Sequence, residues 1–105
     1  MFFLKIITLC GSLKFKNEMM IVAEKVALKG ICVITPVYPV LDNFTRTKEQ
    51  LECLKLAHFK KIELSDAILV VDVDKYIGES TKLEIEYAKK LGKEIIYYSD
   101  VFYNM

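Results

Sequence analysis

The sequence predicts a small α/β protein: a three-layer sandwich of the flavodoxin or Rossmann type, with a parallel sheet of about four to five strands. Two observations carry this. Apolar runs of strand length alternate with helix-patterned segments in the order βαβαβαβ. Three of the strand runs are continuously apolar, as strands are when helices cover both faces of a parallel sheet. Right-handed crossovers then spread the helices over both sides. The 105 residues suit one domain, residues 1–105, at roughly 100–200 residues per domain.

The elements follow in order. Phe3 to Leu9 is an apolar run ended by Cys10-Gly11-Ser12. From Phe15 to Leu28, Phe15, Met19, Val22, Val26 and Ala27 recur at helical spacing, and Gly30 ends the helix. Ile31 to Thr35 is a β-branched run stopped by Pro36, and Pro36 to Arg46 reads as a loop. Lys48 to Leu64 is a helix patterned on Leu51, Leu54, Ala57 and Leu64. Ala67 to Val73 is the most strand-like run. Asp74 to Glu79 is a loop, Ser80 to Leu91 a helix ended by Gly92, and Glu94 to Tyr98 the last strand.

Composition narrows the function. Lys and Arg number 15 and Asp and Glu 14, a net charge of +1, which argues against a non-specific nucleic-acid binder. The hydrophobic fraction is 53% and the mean hydropathy +0.28, which excludes disorder. No apolar run reaches the 18 or more residues of a membrane span, and the amino-terminal residues read as a strand rather than a signal peptide. Cys10, Cys32 and Cys53 lack metal-ligand spacing, so neither a metal nor a cofactor is expected. They read as free, buried thiols in a reducing cytoplasm. Phe2, Phe3, Tyr38, Phe44, Phe59, Tyr97, Tyr98, Phe102 and Tyr103 are more aromatics than so small a core needs. The expectation is a homo-oligomer, with the aromatic tail or the second helix at the contact.

In such folds ligands bind at the carboxyl ends of the strands. Three loops lie there: Leu9 to Leu13, Pro36 to Arg46, and Asp72 to Thr81. Gly11 permits a tight turn and Ser12 caps a helix whose free N–H groups suit an anion, although the loop is neither a GxGxxG nor a P-loop. In the third helix Leu83, Ile85, Tyr87, Ala88 and Leu91 form an apolar arc opposite Lys82, Glu86, Lys89 and Lys90. Glu84 falls inside the arc, so its carboxylate points inward at the mouth of the crevice, where it can serve as nucleophile or base. Thr81-x-x-Glu84 also fits a capping box, which needs no pocket. His58 is the only histidine; it is either a structural helical residue or a catalytic partner. Asp72 and Asp74 end the third strand, as solvated residues or as contacts to a ribose or metal. Lys60-Lys61 and Lys89-Lys90 read as solvated faces.

Cys10-Gly11-Ser12, the segment from His58 to Val73 ending in Ser65-Asp66-Ala67-Ile68-Leu69-Val70-Val71, and Gly78 to Ala88 occur in a telling order. In this the chain resembles the nucleoside 2-deoxyribosyltransferase family and its nucleotide N-glycosidase relatives. The resemblance implies a flavodoxin-like fold and a small-molecule nucleoside or nucleotide as partner. It also implies a glutamate, Glu84 by position, that attacks C1′ before a second base or water takes the sugar. Gly11 and Ser12 would then hold the sugar or phosphate side, with Gly78, Ser80 and Thr81 at the helix mouth. The departures are Thr8 where the transferases carry a tyrosine, His58 where they carry an aspartate, and Gly78 where they carry a second carboxylate. His58 as acid to the leaving base would suit a hydrolase.

Overall fold

The computed structural model describes residues 4–41 and 45–101. Four apolar runs form the strands β1 (Ile6–Cys10), β2 (Cys32–Ile34), β3 (Ala67–Val70) and β4 (Glu94–Tyr97). All pair in parallel, in the order β2-β1-β3-β4. The helices are α1 (Lys16–Leu28), α2 (Lys48–Leu64), α3 (Glu79–Lys90) and a short α4 (Tyr98–Val101). This is the expected parallel α/β sandwich. Among the described residues no helix is long and apolar enough to cross a membrane.

Side-chain alternation along the two central strands builds the layers. Ile7 and Leu9 of β1, with Ala67, Leu69 and Val71, join Met19, Val22 and Val26 of α1 in one core. Cys10, Ile68 and Val70 face the other way and join Ile62 of α2 with Ile85 and Ala88 of α3. So α1 covers one face, while α2 and α3 lie side by side on the other.

The second face carries a polar contact that sets its register. Thr8 is fully buried; its hydroxyl pairs with that of Ser65 at 2.5 Å and lies 3.2 Å from the carbonyl of Lys61. Ser65 Oγ donates to the same carbonyl at 2.7 Å. The end of α2 is thereby fixed to the middle of β1. Lys61, expected on a solvated face, donates from Nζ to the Thr35 carbonyl just past β2, at 2.9 Å. Helix α2 thus reaches across the sheet to the strand that precedes it.

Several boundaries move for local reasons. A 3₁₀ turn over Leu13–Phe15, capped by Ser12, precedes α1. Strand β3 leaves the ladder at Val70 because β1 ends at Cys10, and Val71 N–H makes the last bond, to the Cys10 carbonyl. Gly30 and Gly92 follow their helices at φ of +89° and +73°, the left-handed conformation that glycine adopts without steric cost. Helix α2 starts at a capping box that the apolar pattern did not reveal: Thr47 Oγ1 accepts from Gln50 N–H, and Gln50 Oε1 accepts from Thr47 N–H.

The larger correction concerns the start of α2. Every residue from Lys48 to Ala57 is exposed, and only His58 and Ile62 are buried in this helix. Leu51, Leu54 and Ala57 carry the helical apolar pattern, but they project beyond the sheet instead of onto it. Ala27 and Leu83 are likewise exposed rather than facing the core. Cys32 and Cys53 are exposed too; Cys10 alone is buried. Of the surplus aromatics, Phe2, Phe3, Phe44, Phe102 and Tyr103 lie outside the described residues.

Thr8→Val and Ser65→Ala should each lower stability by about 1–2 kcal/mol, since each removes a member of a buried hydrogen-bonded set. The double substitution should cost less than the sum, because the two hydroxyls share one network. Urea unfolding of the four proteins measures this; strict additivity would show that the pair does not act as a unit.

Candidate functional site

From β1 the chain moves outward to β2, then crosses back over β1 to β3. The loops leaving β1 and β3 therefore diverge and open a crevice at the strands' carboxyl ends. A cleft of about 790 Å³ lies there, bounded by α2, the loop after β1 and the start of α3. Gly11, Ser12, His58, Gly78, Ser80, Thr81 and Glu84 all line it. Each site residue expected from the sequence is thus brought to one cavity.

Glu84 sits in the second turn of α3. Thr81, Ile85 and Ala88 are the buried residues of that helix, and Glu84 lies beside this seam on the side towards α2. Its side chain is 18% exposed, and Oε1 lies 3.5 Å from Nε2 of His58, whose side chain is 10% exposed. The same Nε2 is 3.5 Å from Sγ of Cys10. Three polar side chains from β1, α2 and α3 thus meet at one point. The other ring nitrogen, Nδ1, is buried without a hydrogen-bond partner among the described residues.

The capping-box alternative for Glu84 does not hold. The cap position of α3 is Gly78, with no side-chain cap, and Thr81 is inside the helix and buried. Its first N–H groups therefore have no side-chain acceptor at their cap, beside a cleft that Gly78, Glu79 and Ser80 help to line. Gly78 has an ordinary φ of −78°, and an added Cβ would meet only the Tyr76 ring, at 3.7 Å. Gly11 is more constrained: a Cβ there would come within 3.2 Å of the Val71 carbonyl and 3.4 Å of the Met19 sulfur. A glycine at this point lets the ends of β1 and β3 close up beneath the cleft.

Asp72 and Asp74 do other work. Asp72 is buried; its carboxylate accepts from Ser99 N–H at 2.8 Å and Ser99 Oγ–H at 2.7 Å, tying α4 to the end of β3. Asp74 and Lys75 take left-handed backbone angles, φ 54° and 62°, and turn the chain back towards the first loop. Tyr76 then packs edge-on to Phe15, with ring centroids 5.8 Å apart, beneath the Lys14 ammonium at 3.4 Å. These contacts join the loops on either side of the cleft.

Cys10 is the site residue that sequence reasoning missed. Burial pushes its thiol well above the usual range, and the charge of Glu84 and a hydrogen bond to it add to the shift. At neutral pH Cys10 is therefore a thiol, not a thiolate. The available signal was its spacing: Cys10 follows Thr8 by two residues and so shares its face of β1.

No protein-family model and no curated protein sequence matches the chain. Its fold does match solved structures. One is a 2-desoxiribosyltransferase from Leishmania mexicana, with TM-score 0.66, 21% identity, and coverage of 89% of this chain and 63% of that one. Another is a conserved protein from Enterococcus faecalis V583, with TM-score 0.67, 16% identity, and coverage of 90% and 63%. The chain shares the α/β fold of both and spans 63% of the length of each.

The thiols should divide by accessibility. Iodoacetamide at neutral pH should alkylate Cys32 and Cys53 in the folded protein and reach Cys10 only on denaturation. Mass spectrometry of the intact protein reads the number of adducts; rapid labelling of Cys10 under native conditions would contradict the buried, protonated thiol.

Proposed function

We propose that the protein is a nucleoside 2-deoxyribosyltransferase-like enzyme that cleaves or transfers the N-glycosidic bond of a nucleoside or nucleoside 5′-monophosphate. The observation that carries this reading is Glu84: a largely buried carboxylate lining a cleft at the strands' carboxyl ends, in a fold shared with a 2-desoxiribosyltransferase. Breaking the C1′–N bond leaves positive charge on the sugar carbon, and a nearby carboxylate stabilises it, as in retaining glycosidases. In this reading a Glu84 oxygen bonds to C1′ as the bond electrons leave with the base, which picks up a proton from solvent. Water or a second base then takes the sugar and frees the carboxylate.

The roles of the other residues follow. Gly11 and Ser12 hold the sugar or phosphate side, and Gly78, Ser80 and Thr81 line the mouth of α3, where N–H groups favour a 5′-phosphate. The sequence points to His58 as acid to the departing base. Because its Nε2 lies 3.5 Å from both Glu84 Oε1 and Cys10 Sγ, we assign it instead the orientation of the carboxylate. The second reading is a nucleotide-binding module without turnover, favoured by Gly78 standing where the resemblance expects a second carboxylate.

Incubation with a panel of deoxynucleosides, ribonucleosides and their 5′-monophosphates, followed by chromatography of free base, tests the enzyme. Glu84→Gln should slow base release by on the order of 10³-fold or more, the scale seen when a nucleophile is removed. Release unchanged by that substitution would end the nucleophile assignment, and tight binding with no release would favour the module.

We further infer a homo-oligomer in which a second copy covers the exposed start of α2. Leu51 and Leu54, three residues apart on one helix face, are 53% and 40% exposed there, and both line the cleft. A copy docked on this face would bury them and narrow the cleft. Analytical ultracentrifugation at micromolar concentration should show a dimer or larger species that Leu51→Glu/Leu54→Glu converts to monomer; a monomeric parent protein would refute the inference.

A further inference from the structure

We propose that Cys10, His58 and Glu84 form a binding site for a borderline-soft divalent cation, zinc above all. The three donor atoms lie within 4.8 Å of one another, and two of the separations, Sγ to Nε2 and Nε2 to Oε1, are 3.5 Å. Zinc bonds of about 2.3 Å to sulfur and about 2.0–2.1 Å to nitrogen and oxygen, at tetrahedral angles, put such donors about 3.3–3.6 Å apart. The observed separations already match two edges of that tetrahedron. The third closes by a small movement of the Glu84 carboxylate on its flexible stem. Three protein ligands leave a fourth position for water or a ligand, as in zinc sites of that kind.

The arrangement fits a cation better than a nucleophilic triad. A Cys–His–carboxylate relay needs the thiol on one imidazole nitrogen and the carboxylate on the other. Here both face Nε2, while Nδ1 has no partner among the described residues. Convergence of three donors on one point is the geometry of a coordination site. The donor set also selects the ion: thiolate, imidazole and carboxylate suit zinc or cobalt, whereas magnesium and calcium take oxygen ligands.

Charge favours the same occupant. Thiolate and carboxylate cannot both remain ionised this close in a buried pocket without a positive charge between them. A divalent ion with one thiolate, one carboxylate and a neutral imidazole sums to zero. Binding displaces the thiol proton to the buffer as the metal–sulfur bond forms, so no oxidant or reductant is needed. The ion would also occupy the oxygen that the proposed reaction uses, so metal and glycosidic turnover exclude each other. The site itself rests on geometry and not on that reaction.

The test uses full-length, reduced, chelator-treated protein carrying Cys32→Ser and Cys53→Ser, which removes the exposed thiols. Titration with cobalt(II) should give the near-ultraviolet thiolate-to-cobalt band and the intense visible bands of tetrahedral cobalt, saturating at a single ion per chain. Zinc should displace the cobalt, and magnesium should not. Cys10→Ala should abolish the charge-transfer band. Glu84→Gln and His58→Ala should each weaken binding at least about tenfold. Should Cys10→Ala fail to fold, Glu84→Gln decides, because it lies outside the packed core. No thiolate band in the parent, or cobalt binding unchanged by Glu84→Gln, overturns the site. Glu84-dependent base release in a protein that binds no cobalt would count against the metal alone, and cobalt binding in a protein that releases no base would count against the enzyme alone.

Discussion

The site's geometry depends on one buried contact, the hydroxyl pair between Thr8 and Ser65. Ser65 donates to the Lys61 carbonyl, which leaves Thr8 to donate into the same set and hold the last turn of α2 level with the middle of β1. Two residues further along β1, about 6.6 Å at strand spacing, Cys10 emerges on the same face. Helix α2 runs antiparallel to the strand, so His58, nearly one turn before Lys61, comes level with Cys10. A shift of one residue in β1 would turn Cys10 into the opposite core, and a shift of one in α2 would swing His58 by about 100°. Apolar packing tolerates such slips better than a buried pair of hydroxyls, which must meet or go unsatisfied.

The third side chain is fixed by packing alone. Thr81, Ile85 and Ala88 lie at spacings of four and three and are the buried seam of α3. Glu84 precedes Ile85 by one residue, so seating Ile85 under the sheet directs Glu84 sideways, towards α2. Beneath it the ends of β1 and β3 approach closely enough that a Cβ at Gly11 would sit only 3.2 Å from the Val71 carbonyl. Asp74 and Lys75 turn the chain back towards Phe15, against which Tyr76 packs.

Much of this was legible in the sequence, and the misses share a cause. Continuous apolar runs located β1 to β4, and the inward bias of Glu84 showed on a helical wheel. Local patterns misled where the chain had two ways to satisfy them. Thr81-x-x-Glu84 has the letters of a capping box but lies within α3, whereas Thr47-x-x-Gln50 has them and uses them. Leu51, Leu54 and Ala57 repeat like a core face, but periodicity cannot tell a face against the sheet from one that overhangs it. That Cys10 meets His58, 48 residues away in the chain, depends on the register set by Thr8 and Ser65, which no local pattern encodes.

The chemistry of the site turns on a carboxylate held beside an imidazole and a thiol. Glu84 has His58 as its ion-pair partner among the described residues, at 3.5 Å, and Cys10 is held as a neutral thiol, first by burial and then by the carboxylate. The carboxylate sits in a partly desolvated cleft, where electrostatic interactions are stronger than in water. Such a site stabilises positive charge, whether it develops on a sugar carbon as a glycosidic bond breaks or arrives on a metal ion. The two differ in what they ask of Cys10. The proposed glycosidic reaction would need the thiol protonated and Glu84 free, while the proposed metal would recruit the thiol as a second anion and withdraw the carboxylate. An alanine beneath His58 would fill the same layer with no polar atom. A thiol there supplies the second anion that the proposed metal site needs, so the two proposals compete for one carboxylate.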